Sequence, residues 1–136
     1  MNFALTILDI FLDVLHLTII AINGVGWLIP RWRMTHAVVI HVTAISWLGV
    51  GLVVGNIGYC FLTDWQWQVK SALGEGGLSS SYIVYVFQRF FGVTLSRTTA
   101  DFGAATVFVV SLVAAWRFLY TMARERGLLS KGREPP

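Results

Sequence analysis

Three stretches of this chain, Phe3 to Ile29, Met34 to Ile57 and Gly103 to Met122, are apolar over lengths that few soluble proteins carry. A hydrocarbon core of about 30 Å needs about 20 apolar residues in a helix, and each stretch meets that length. Inside lipid a backbone must satisfy its own N–H and C=O groups, so a short chain with such runs crosses as helices. Charged residues make up only 12% of the chain, against about a quarter in a soluble domain, too few to cover a globular surface. The sequence therefore specifies an all-α integral membrane protein with three transmembrane helices.

Pro30, in "PRWR", ends the first run. Thr98 and Asp101 have capping-box spacing at the start of the third. Two shorter elements lie between the second and third spans. "TDWQWQVKSALGE" opens on a second capping box, Thr63 to Gln66, and places Leu62, Trp65, Val69, Ala72 and Leu73 on one face. "SSSYIVYVFQRFFG" repeats the device with Ile83, Val86, Phe87, Phe90 and Phe91, while Tyr82, Tyr85 and Arg89 project elsewhere. At about 12 residues neither can span. They read as two short amphipathic helices, lying in the interface or folded over the bundle mouth, with "GEGG" as the joint. Residues 1–123 form one membrane-embedded helical domain, and 124–136 a basic, disordered tail. The first run has no basic n-region and far exceeds a signal-peptide core, so it reads as retained.

A net charge of +3 would suggest nucleic acid in a soluble protein. Here no basic–aromatic module accompanies it, and the positive residues set orientation instead. Arg31, Arg33, Arg124, Arg126, Lys131 and Arg133 fall on one side of a three-span chain, and Lys70, Arg89 and Arg97 on the other. The positive-inside rule puts the N-terminus outside and the tail in the cytoplasm.

The first span carries a polar stripe. Asp9, Asp13, His16 and Asn23 are spaced i, i+4, i+7 and i+14, which brings them to one helical face. An acid at mid-span costs about 2.5–3.5 kcal/mol, so Asp13 and His16 need partners in the bundle. At a rise of about 1.5 Å per residue, His16 is level with Ser46, and Asn23 is level with His41 and near Arg117. A structural polar network is one reading. A proton or ion path through Asp9, Asp13 and His16 is another, and ligand binding a third. A haem held by both His16 and His41 would span about 9 Å of depth, so a single-His haem, or one shared with another subunit, is what stays open, and a quinone is a separate alternative.

Gly51 and Gly55 form G-x-x-x-G near Gly58 and predict close helix packing. Cys60 is the only cysteine, which excludes an internal disulfide and a Cys-based metal site. Trp27, Trp32, Trp65 and Trp67 read as interfacial anchors, and Arg117 as a snorkelling boundary charge. No nucleophile triad, P-loop or metal cluster is spaced in the sequence, so an enzyme is not expected.

"FLDVLHLTIIAINGVGWL", "GYCFLTDWQWQVKSALG" and "SYIVYVFQRFFG" together resemble a family of small bacterial inner-membrane proteins known as domain of unknown function 2784. The resemblance covers residues 8 to 92, with Gly58 to Trp65 its most specific part; members often carry Pro where this chain has Phe61. It implies a bacterial inner-membrane protein in which His16 and the segment containing Tyr59, Cys60, Thr63, Asp64, Trp65 and Trp67 are signature features. It implies no activity. The expected function is an accessory or assembly subunit of a larger membrane complex, its partners being the bilayer and other membrane subunits or further copies of itself. The alternatives are a proton or ion conductor, and a haem- or quinone-binding redox subunit.

Overall fold

A computed structural model describes residues 2–79 and 81–127, and no strand occurs among them. Helix α1 (Phe3–Val25) leaves α geometry at Val25, passes through a 3₁₀ turn at Gly26–Leu28, and meets extended Ile29. Pro30 then opens a second 3₁₀ turn, its missing N–H harmless at a helix start. Helix α2 (Arg33–Ala44) continues through a π-helical turn at Ile45–Val50 into a last α turn at Gly51–Val54. Two shorter helices follow, α3 (Phe61–Ala72) and α4 (Tyr82–Phe91), and then the long α5 (Arg97–Glu125). Three rods, Phe3–Leu28, Pro30–Val54 and Arg97–Glu125, are long and apolar enough to cross a membrane.

The spans α2 and α5 meet where two alanines flank an isoleucine. Ala37, Ile40 and Ala115 form the buried centre, with Phe108, Leu112, Phe118 and Leu119 packed around it. Asn23 knits the three rods together: its Nδ2 donates to Thr43 Oγ1 on α2 at 2.9 Å, and its carbonyl accepts from Ser111 Oγ on α5.

Several local expectations give way to tertiary contacts. Helix α3 begins at Phe61, with Cys60 as its cap residue, so Thr63 lies inside the first turn and makes no capping box with Gln66. Its buried positions are Leu62, Gln66 and Lys70, an i, i+4, i+8 row, while Trp65 and Ala72 of the expected apolar face are exposed. In α4 the buried residues are Tyr82 and Val84, and Phe87, Phe90 and Phe91 face outward. The cap of α5 is Ser96, whose hydroxyl accepts from Thr99 N at 3.1 Å; Asp101 instead pairs with Arg97 at 3.5 Å. The third span thus starts six residues before Gly103 and runs through Arg124 and Glu125, the first two residues of the expected tail. Residues 128–136 of that tail lie outside the described residues.

Gly51, Gly55 and Gly58 shape a turn more than a helix–helix seam. A Cβ on Gly51 would stand 2.8 Å from the Asn56 carbonyl oxygen, and Gly55 ends the helix in the left-handed region at φ 71°. The following segment folds back on α2. Gly58 N donates to Trp47 O at 3.1 Å, and Ser46 Oγ donates to Tyr59 O at 3.0 Å.

Candidate functional site

The fold-back at Gly55 to Cys60 delivers α3 and α4 onto the end of α1 that carries the acids. Lys70 of α3, only 2% exposed, points its ammonium at Asp9 Oδ2 at 3.0 Å and Asp13 Oδ2 at 3.6 Å, with Glu75 at 3.8 Å. Gln66, one turn earlier, donates to Asp9 Oδ1 at 2.8 Å. Tyr82 of α4 donates its hydroxyl to Asp13 Oδ1 at 2.9 Å and stacks its ring on His16, with centroids 3.7 Å apart and planes 12° from parallel. His16 Nε2 in turn lies 3.7 Å from Cys60 Sγ. One connected chain of groups therefore runs from Lys70 through the two carboxylates and Tyr82 to His16 and Cys60.

The electrostatics follow from that geometry. Burial alone would lower the Lys70 ammonium, but the hydrogen bond to Asp9, the Tyr85 side chain and the nearby Asp13 charge outweigh it and hold the group above the usual lysine range. The Tyr85 ring lies 5.1 Å from Nζ, a cation–π contact that adds to the cage. For the Tyr82 phenol, burial and the bond to Asp13 act together, and both raise it. Lys70 stays charged and Tyr82 stays a donor across the ordinary pH range.

Beside this chain lies a cavity of about 650 Å³. Tyr59, Cys60, Asp64 and Trp67 line it together with Val38, Val39 and Val42 of α2. The segment marked out by the sequence is thus gathered in one place. Thr63 also lines the cavity, whereas Trp65 stacks edge-on against Phe61 and stays exposed.

The partners expected for the stripe are not those it finds. Ser46 serves the turn at Tyr59, and His41 is occupied on both nitrogens, Nδ1 by Ala37 O at 2.6 Å and Nε2 by Trp116 Nε1 at 3.1 Å. That leaves His41 no nitrogen for a metal. Among the described residues no three His, Cys, Asp or Glu side chains converge as metal ligands. Arg117 sits in a separate hollow at the opposite end of the spans. Lys70, Gln66 and Tyr82 completed the site unannounced. The available signal was the Leu62, Gln66, Lys70 row, which puts an amide and a cation in line with a leucine on a short helix.

A family model described as "Protein of Unknown function (DUF2784)" matches residues 6–121. The chain belongs to this family, and the match reaches well past residue 92 into α5. No curated protein and no solved structure matches the chain.

Proposed function

We propose that this chain is a small accessory subunit of a bacterial inner-membrane complex, a structural member and not a conductor. The closure of the stripe supports this reading: both intramembrane-end acids are engaged by one buried lysine. A relay needs groups that release and regain protons, and Lys70 is held firmly in its charged form. Tied to Lys70 in this way, the stripe joins α3 and α4 to α1 and stiffens the outer end of a thin bundle. Such a rigid, largely apolar body is suited to bracing neighbouring helices.

The test is native mass spectrometry of the protein extracted from its own membrane in mild detergent. Stable additional subunits are expected. Copies of this chain alone would overturn the reading, as would loss of ion flux by Asp13→Asn in a still-assembled protein. A retained small-molecule mass in place of subunits would move the function to the 650 Å³ cavity.

A further inference from the structure

At the other end of the spans, away from the acids, a hollow of about 400 Å³ opens where the turn after α1 meets α5. Arg33 and Arg117 both line it, from different rods. Arg33 donates through Nε to the Trp27 carbonyl at 3.4 Å, and neither arginine forms an ion pair among the described residues. His36, 1% exposed, lines the same hollow, and its buried Nε2 has no hydrogen-bond partner among the described residues. Two guanidinium groups and an imidazole nitrogen without a protein partner thus surround one hollow. Such a set of donors suits an anion with several acceptor oxygens.

We infer that this hollow is a binding site for the phosphate of an anionic phospholipid. Guanidinium groups hold phosphate through paired N–H donors, and a phosphate oxygen would give an Nε2–H of His36 its acceptor. The position favours a lipid over a free anion. Arg117 lies within the apolar rod Arg97–Glu125, about 12 Å along the axis from its end. Trp27, Ala114 and Phe118 supply an apolar wall beside the charges, suited to a glycerol backbone and the first methylenes. Basic hollows between spanning helices take anionic headgroups in this manner. Under the charge count given above, this end faces the cytoplasm.

The full chain, purified in a non-ionic detergent, would be titrated with phosphatidylglycerol or phosphatidylcholine and the bound lipid read by native mass spectrometry. Phosphatidylglycerol is expected to be retained in preference. Arg33→Gln and Arg117→Gln should each weaken it by about tenfold, as loss of a charge-assisted hydrogen bond does. Both residues are exposed, so the variants should keep the fold, with the melting temperature as the check. Arg124→Gln with Arg126→Gln, on the exposed end of the same rod, should change little. Equal retention of the two lipids would overturn the inference, as would an equal loss in the Arg124/Arg126 pair, which would signify diffuse charge. Displacement of phosphatidylglycerol by excess inorganic phosphate would make this a free-anion site and overturn the lipid assignment.

Discussion

Lys70 is the residue on which the acid-bearing end of the molecule depends. Its ammonium serves Asp9 and Asp13 at once, and removing one partner of a buried ion pair leaves charge with nothing to oppose it. Lys70→Met should therefore destabilise the protein by about 3–5 kcal/mol, seen as a lower midpoint in detergent unfolding. Adding Asp9→Asn and Asp13→Asn to Lys70→Met should recover part of that loss, because the uncompensated charges go with it. The pH dependence has a definite sign. A lysine held above its unfolded value contributes fully below about pH 10.4 and loses its contribution as pH rises through the folded value. The stability gap between wild type and Lys70→Met should thus be flat from about pH 7 to about pH 9.5 and close only in stronger alkali. A gap that shrinks between those limits would mean the ammonium is not held as the geometry requires.

At the scale of elements, the turn from α2 into α3 decides whether the two cap helices can reach α1. Gly51 permits the close return of Asn56, and a methyl group there would collide with a backbone oxygen that has no flexible end to move. Gly51→Ala should cost about 1–3 kcal/mol, and hydrogen exchange should quicken in α3 and α4 before it does in α5. The same turn marks the limit of what the sequence revealed. The three spans were legible because length and apolarity are local properties, and the stripe because i, i+4, i+7 spacing is carried within one helix. Lys70 was not legible, since its partners are 61 and 57 residues away and a lysine on a short helix reads as solvated. The cap boxes failed for a related reason. Thr63 and Thr98 have the right spacing, but the helices start earlier: at Phe61, where the chain folds back on α2, and at Arg97, where Ser96 supplies the local cap. Tyr82 was assigned away from the apolar face of α4, and it is buried because His16 and Asp13 offer a ring and an acceptor that periodicity does not record.

For the whole molecule, orientation can be checked directly. In a Cys60→Ser background, Ser71→Cys on the exposed side of α3 should react with a membrane-impermeant maleimide applied to intact spheroplasts, and Arg124→Cys at the far end of α5 should not. The reverse pattern would invert the topology and place the arginine hollow outside. The clasp also has a history written into the order of synthesis. Asp9 precedes Lys70 by 61 residues, so at about 5–20 residues per second the ribosome takes about 3–12 s to supply the counter-charge. Through that interval α1 exists with two bare carboxylates and no cap. The nascent chain thus commits its acids to the first helix several seconds before it can complete their pairing.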